Sequence, residues 1–366
     1  AWHCVGEASP VLHESTLPAA APSGVWRFGA SLCEIPLDHD RDPPISFHLL
    51  HLPDGRDVFI IKYGHALMDG KSPEFVLSRI HECYEQGEAT PAAPPERDDD
   101  EFTAYLRSFS RKTRIGAALR IVGSHIRWPV KSITLVPPDI IDICTRPLAL
   151  LAKSLDPDQT SRLDQRVRAV CGFSNLTPAV LASTFRAVSR LSRHPQSAGA
   201  RFQTDVPLNL RKPGTAHPIF RNFMSFIQLG ARFDQLADRD DLTRLLNADM
   251  RNQLRCKMDL GNLQMMKLMS GHARALGTHI KKRMKDHPLT LPFGFLGTTA
   301  RGSERFCNRS VTTIQTFNTA ISPPGVTLQV NQSFGSLNLM LTYVSSVIPD
   351  TLAHQFLEEI TADLLA

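Results

Sequence analysis

Apolar and polar positions alternate along the chain in two different rhythms, which predict strands and helices. Short β-branched or aromatic runs predict strands, and longer runs with an apolar residue every three or four positions predict helices. The predicted strands lie at 24–28, 45–52, 58–63, 202–211, 221–229, 310–317, 326–334 and 336–344. The predicted helices lie at 74–84, 101–127 (with a break at Gly116), 159–172, 178–191, 234–286 and 350–365.

A proline-punctuated stretch at 129–157 divides these elements into two groups. The stretch shows no long periodic pattern, so it is the predicted crossover between two units. A length of 366 residues also exceeds that of one small domain, and 42% hydrophobic residues allow a sizeable core. We therefore predict an N-terminal unit at 1–150 and a C-terminal unit at 151–366.

The strongest chemical signal is the turn that follows the predicted strand at 58–63. Positions 64–70 read Gly-His-Ala-Leu-Met-Asp-Gly. Histidine is the side chain best suited to take a proton near neutral pH, and a strand end would hold His65 rigidly in a cleft. Asp69 could serve the imidazole or pair with a cation, and Gly70 would permit a backbone angle that a Cβ forbids. A match this short also fits a core histidine followed by an ordinary turn.

The turn resembles the HHxxxDG motif of the acyltransferase superfamily that contains chloramphenicol acetyltransferase, non-ribosomal peptide condensation domains, BAHD enzymes and wax ester synthase/diacylglycerol acyltransferases. Weaker matches continue in order from about Pro36 to the carboxyl end. The resemblance implies two α/β subdomains, each a mixed β-sheet with helices, and an active-site tunnel between them. The strand and helix that precede this region in relatives are predicted to be missing here, and Gly64 replaces the first motif histidine.

The resemblance also implies roles for single residues. His65 corresponds to the general base of the superfamily. Asp69 is implied to be structural and to pair with Arg211 across the domain junction, turned away from the tunnel, and Gly70 completes the motif. A backbone N–H near Gly70 is one candidate donor for an oxyanion. Side-chain candidates for the oxyanion or the tunnel wall are Asn222, Asn318 and Thr319.

The implied reaction is transfer of an acyl group from a phosphopantetheine thioester to an alcohol or amine, with an ester or amide product. The thioester, acyl-CoA or an acyl-carrier protein, is a co-substrate, and neither a permanently bound cofactor nor a metal is expected. Lipid or secondary-metabolite biosynthesis is the implied setting. A basic cluster is the candidate site for the donor phosphate, although a solvated face is the ordinary interpretation. It consists of Lys281, Lys282 and Arg283.

Two other classes of function stay open. Gly64 in the motif fits a degenerate relative that binds an acyl or carrier-protein ligand without catalysis. The second class is an unrelated hydrolase that uses His65 with a cysteine. The cysteines considered for that role are Cys33, Cys83 and Cys307, none of which lies in a recognisable nucleophile motif.

Charge and cysteine content limit the expected partners and the expected cellular location. The net charge of +5 is mild, and no nucleic-acid motif is present. Seven scattered cysteines without a C-x-x-C pair disfavour a disulfide framework or a zinc site, and predict a reducing, cytoplasmic location. No apolar run reaches the ~20 residues that span a bilayer. The basic face of the predicted helix 101–127 is either solvated or a peripheral contact with acidic lipid or a carrier protein.

Overall fold

The computed structural model describes residues 11–18, 22–35, 37, 43–87, 101–127, 132–137, 147–192, 199–211, 222–270, 289–299, 304–320 and 323–366. Their strands are β1 (Leu12–Thr16), β2 (Ile45–His51), β3 (Asp57–Tyr63), β4 (Leu148–Leu155), β5 (Arg201–Asn209), β6 (Met224–Arg232), β7 (Phe293–Thr298), β8 (Arg305–Phe306), β9 (Arg309–Ser310), β10 (Val326–Ser333) and β11 (Ser336–Val344). Their α-helices are α1 (Pro22–Glu34), α2 (Ser72–Gln86), α3 (Glu101–Arg107), α4 (Arg111–Arg127), α5 (Pro157–Cys171), α6 (Leu176–Leu191), α7 (Arg239–Arg255), α8 (Met258–Ser270) and α9 (Asp350–Leu365).

A three-stranded sheet, in the order β1-β2-β3, carries the motif turn at the end of β3. β1 runs parallel to β2, and β2 and β3 form the antiparallel hairpin that the sequence predicts. The hairpin turns at Gly55, whose φ of 81° is a conformation that glycine adopts without steric cost. This sheet therefore fixes the position at which the chain enters the motif.

A four-stranded sheet, in the order β4-β11-β10-β7, forms the centre of the larger core. β11 is antiparallel to both of its neighbours, whereas β7 runs parallel to β10. Helices α5 and α9 pack against this sheet, α6 packs against α9 and α7, and the antiparallel pair β5–β6 lies beside β7. The largest fully buried side chains of this core are Phe185, Phe202, Phe356 and Tyr343.

Local signals explain why the predicted helices at 159–172, 178–191 and 350–365 are confirmed with small shifts. Asp156 and Gln159 form a capping box that starts α5, and Gly172 ends it in a left-handed conformation. The Asn175 side chain accepts a hydrogen bond from the backbone N–H of Thr177 and so starts α6.

The amino-terminal predictions are wrong. Residues 24–28 belong to helix α1, and both a strand (β1) and a helix (α1) precede Pro36, so the elements predicted to be missing are present. β1 is polar and largely exposed, and its pairing with β2 rather than an apolar pattern makes it a strand. In α1, Ala30 is buried where the helix packs against Leu148 and Leu150 of β4.

Three further predictions need correction. The helix predicted at 101–127 breaks at 108–110, where Ser110 Oγ accepts from the Thr113 N–H, and not at Gly116. Of the strand predicted at 310–317, only the first residue is in a strand. The crossover stretch contains β4, whose apolar run lacks the alternation of a half-buried strand.

The remaining boundaries are only partly covered. The division predicted at 150/151 falls inside β4, and the two-unit boundary stays a prediction. The helix predicted at 234–286 is observed as a short 3-10 helix (Phe233–Gln235), α7 and α8. Its last part, 271–286, lies outside the described residues.

Candidate active site

A cavity of about 2740 Å³ lies between the first sheet with α2 and a wall formed by β5, β7 and the segment 304–319. Typical small-molecule sites occupy ~300–1,000 Å³, so this cavity has room for two substrates. The predicted site residues in its wall come from both halves of the chain. They are His65, Asp69, Gly70, Arg211, Asn318 and Thr319.

His65 lies two residues beyond the end of β3 and is exposed to the cavity. The fully buried side chain of Met68 anchors the turn beneath it. The Nδ1 atom of His65 lies 3.2 Å from the carbonyl oxygen of Met68. A carbonyl can only accept, so Nδ1 is the donor in this contact, and in the neutral ring Nε2 then carries the lone pair. The turn therefore orients the ring as a base would require.

Asp69 is buried and accepts hydrogen bonds from several parts of the chain. Arg211 Nη1 donates to its Oδ2 at 2.6 Å, and the backbone N–H of Phe223 donates to the same oxygen at 2.8 Å. Oδ1 accepts from the backbone N–H groups of Lys71 at 3.0 Å and Ser72 at 3.2 Å. These bonds tie the motif turn to the end of β5 and to the residues that lead into β6.

The Asp69–Arg211 ion pair implied by the resemblance is thus present, with side-chain exposures of only 4% and 3%. Arg211 Nη2 also donates to Ser72 Oγ at 3.2 Å, and its guanidinium lies 5.8 Å from the centre of the Phe75 ring. Among the described residues, the hydrogen bonds of Asp69 go to these donors and that of the His65 ring goes to Met68. No His–Asp dyad forms, and the pair has the geometry of a structural contact.

Gly70 is needed for a reason other than the predicted one. Its φ is not in the left-handed region. A Cβ at this position would lie 2.8 Å from Cδ2 of Leu296 on β7, so the glycine allows the turn to approach that strand. Lys71 strengthens the same contact, because its Nζ donates to the carbonyl oxygen of Thr298 at 3.0 Å and to Glu74 at 2.6 Å.

The three candidate polar residues have different surroundings. Asn222 Nδ2 donates to the carbonyl oxygen of His65, so this residue holds the backbone of the motif turn. Asn318 Nδ2 donates to Oε1 of Gln329 at 3.1 Å, and both residues line the cavity. The carbonyl oxygen of Thr319 accepts from Thr327 Oγ1 at 3.5 Å. The basic cluster at 281–283 lies outside the described residues.

Gln329 is a cavity residue that the sequence interpretation missed. It belongs to a row of buried polar side chains on one face of β10, namely Thr327, Gln329, Asn331 and Ser333. Its amide lies over Gly294 of β7, where a Cβ would collide with it. No acceptor for its Nε2 occurs among the described residues. The signal was the polar period of two in β10, which is unusual for a buried strand.

Burial makes three other ionisable groups of the cavity wall poor bases or nucleophiles. Burial and the Asp69 carboxylate raise the pKa of Tyr63 to about 12, so its phenol stays protonated at neutral pH. Burial raises the pKa of Cys33 to about 11 and also raises the pKa of Cys307. In the described part of the chain, no cysteine bonds to the His65 ring. The geometry therefore gives no support to a cysteine hydrolase.

The structure has the chloramphenicol acetyltransferase-like α/β fold with two subdomains. No family profile and no curated protein matches the chain. A solved structure that it is similar to is the epimerization domain from the third module of tyrocidine synthetase B, with a TM-score of 0.64 and 13% identity over 99% of this chain and 80% of that chain. The first condensation domain of the CDA synthetase gives a TM-score of 0.64 and 15% identity over 97% and 74%.

The TRI3 trichothecene 15-O-acetyltransferase from Fusarium sporotrichioides gives a TM-score of 0.66 and 13% identity, over 96% of this chain and 76% of that chain. At such low identity the likeness establishes the fold. The described residues contain no helix long and apolar enough to cross a membrane. They also contain no group of three or more His, Cys, Asp or Glu side chains arranged to hold a metal ion.

Proposed function

We propose that the protein is an acyltransferase that moves an acyl group from a phosphopantetheine thioester to an alcohol or amine. The observation that carries this proposal is the His65 imidazole in the cavity wall, with Nδ1 held by the Met68 carbonyl and Nε2 free to accept a proton. The fold, which is shared with condensation domains and an acetyltransferase, supports acyl transfer in general.

His65 acts as the general base in the proposed reaction. Its Nε2 removes the proton from the acceptor hydroxyl or amine as that heteroatom attacks the thioester carbonyl. The new carbon–heteroatom bond gives a tetrahedral oxyanion without an acyl-enzyme. The oxyanion then collapses, the carbon–sulfur bond breaks, and the leaving thiolate takes the proton from His65. The histidine thus returns to its starting state.

The oxyanion needs a donor, and the Asn318–Gln329 pair supports one. Because Oε1 of Gln329 accepts from Asn318, the amide is oriented with Nε2 as its available donor. Gln329 pairs in register with Gly294, two residues before Leu296, which contacts the motif turn at Gly70. Gln329 and Leu296 both line the cavity, so the amide faces the same space as the residue that meets the motif turn. We assign the oxyanion contact to Gln329, with Asn318 positioning it.

The donor is acyl-CoA or an acyl-carrier protein, since both present the same phosphopantetheine arm. The cluster Lys281, Lys282 and Arg283 stays the predicted phosphate contact. Within the described residues, the guanidinium-bearing Arg305 and Arg309 line the cavity wall. They support a cationic site for the donor phosphate, because charge-assisted hydrogen bonds to phosphate are strong.

The test is a product screen. The purified chain is mixed with a panel of acyl-CoAs and small alcohols or amines, and mass spectrometry records any ester or amide. Product from the wild type, and none from His65→Ala, is the expected result. Tight acyl-CoA binding without product under any pairing would instead favour the degenerate, ligand-binding relative. Product formed equally by His65→Ala would reject His65 as the base.

A further inference from the structure

Helix α4 shows an apolar stripe to solvent. Ile115, Leu119 and Val122 are 50%, 65% and 43% exposed. Their spacing of four and then three residues places them on one face of the helix. The opposite face is the buried one, where Ala117 and Ile121 pack closely against Gly261 of α8. A basic helix with an ordinary solvated face would bury its large apolar side chains. In α4, the three apolar side chains of the stripe are instead exposed to solvent.

The charges of α4 are all of one sign. The helix has no acidic residue. Arg111 and Lys112 are exposed beside the apolar stripe, and Arg120 is exposed with its Nη1 donating to the carbonyl oxygen of Cys256. Its basic residues in full are Arg111, Lys112, Arg114, Arg120 and Arg127. An exposed apolar stripe with cations beside it is the pattern of a helix that lies in the plane of a membrane surface, with its apolar side chains in the acyl boundary and its cations at anionic headgroups.

We propose that this face of α4, defined by Arg111, Lys112, Ile115, Leu119 and Val122, binds the surface of an anionic lipid bilayer. Two observations favour lipid over the other possible occupants. A second copy of the chain would bring like charges together at the same face, which is unfavourable. A carrier protein would have to deliver its thioester to the cavity, yet none of the α4 side chains that the structure describes lines the cavity wall.

The proposal is independent of acyl transfer, because it concerns only the surface on which the protein sits. Co-sedimentation with phosphatidylcholine vesicles, with or without phosphatidylglycerol, tests it directly. Binding is expected to the phosphatidylglycerol vesicles, to weaken as salt rises, and to be at least about tenfold weaker to phosphatidylcholine alone. Equal binding to both kinds of vesicle, or binding to neither, would overturn the proposal.

Two double variants separate the apolar and the charged contributions. Ile115→Ser with Leu119→Ser should weaken binding to anionic vesicles by roughly tenfold or more, since each buried apolar side chain contributes substantially. Arg111→Gln with Lys112→Gln should do the same through lost headgroup attraction. The matched control is Leu245→Ser with Arg255→Gln on α7, another exposed leucine and arginine on a helix, and should bind like the wild type.

Two readouts keep the result unambiguous. Thermal unfolding of each variant should match the wild type, because the substituted residues are exposed. In Leu119→Trp, the added indole fluorescence should shift to the blue only when anionic vesicles are present, because the side chain enters the acyl boundary. Analytical ultracentrifugation that shows a dimer abolished by the two serine substitutions would reject lipid in favour of a second copy. Vesicle binding by those variants at wild-type strength would also refute the assignment.

Discussion

Strands β3 and β11 carry similar apolar side chains in different surroundings. In β11, every residue after Ser336 is buried, and Leu339 and Leu341 are fully enclosed in the main core. In β3, none of the residues is buried, although the strand has four consecutive apolar residues at 58–61. All four line the cavity. Apolar residues of similar kinds therefore stabilise the core in β11, whereas in β3 they form the apolar wall of an open cavity.

The largest expected effect comes from the contact that joins the β3 turn to the second half of the chain. Arg211→Met would leave the buried Asp69 carboxylate without its cation, and losing one partner of a buried pair costs about 3–5 kcal/mol in the free energy of unfolding. Arg168→Met is the control, because its partner Asp164 forms an exposed pair worth about 0–1 kcal/mol. Urea unfolding should separate the two variants clearly. Equal losses would mean that the motif turn is not anchored by Arg211.

Two truncations test whether β3 and β11 differ in this way. Leu339→Ala in β11 should lower the free energy of unfolding by about 2–5 kcal/mol, the range for a fully buried leucine. Ile61→Ala in β3 should cost less than about 1.5 kcal/mol, because the side chain is only half-buried. It should instead raise the KM for an apolar substrate. If both truncations destabilise the protein equally, β3 is part of the core and not a ligand wall.

β10 combines both situations, because one of its faces packs in the core and its polar face lines the cavity. Gln329→Glu keeps an acceptor for Asn318 but removes the amide donor and adds negative charge near the oxyanion. We expect kcat to fall by about 10²–10³-fold, as for other oxyanion donors, with a much smaller change in KM. Gln332→Glu on the same strand does not line the cavity and is the control. A loss confined to KM would assign Gln329 to binding alone.

The smallest effect concerns His48, a buried side chain of the first sheet. Burial, His13 and Lys62 lower its pKa to about 4. Between pH ~6.5, the histidine pKa of the unfolded chain, and pH 4, the unfolded chain binds more protons than the folded chain. The free energy of unfolding is therefore highest above pH ~6.5 and falls as the pH falls towards 4.

His48→Leu should therefore show a flatter dependence of unfolding free energy on pH between 6.5 and about 4 than the wild type. His51→Leu is the control, since His51 lies on the same strand and is partly exposed. Both curves are measured by urea unfolding at a series of pH values. A curve for His48→Leu that superimposes on the wild-type curve would show that His48 is not held neutral by the fold.

Sequence periodicity was informative where a segment has one buried face or a clear cap. Helices α5, α6 and α9 and strands β10 and β11 follow from it. β4 was missed because both of its faces carry apolar residues: Leu148 and Leu150 pack in the cluster with α1, whereas Ala149 and Leu151 pack against the main core. α1 was missed because Gly and Ser interrupt its apolar positions, and its packing against β4 decides its structure.

The candidate site shows the same limit. His65 was identified from a local pattern, whereas Asp69 and Arg211 are 142 positions apart and were linked only by resemblance. Gln329 gave only the signal that it shares with its strand, the polar period of two in β10, because its own role depends on Gly294 and Asn318, which only the folded chain brings near. Contacts between distant segments therefore had to come from the structure.

The proposed role of His65 as the base for acyl transfer is tested most directly by comparing two histidines of the same cavity wall. Turnover of the donor–acceptor pair found in the product screen is measured for His65→Ala and for His51→Ala, after donor binding and thermal unfolding are shown to be unchanged. We expect kcat to fall by at least ~10²-fold for His65→Ala and to change little for His51→Ala, another histidine of the cavity wall. Equal turnover by the two variants would contradict it.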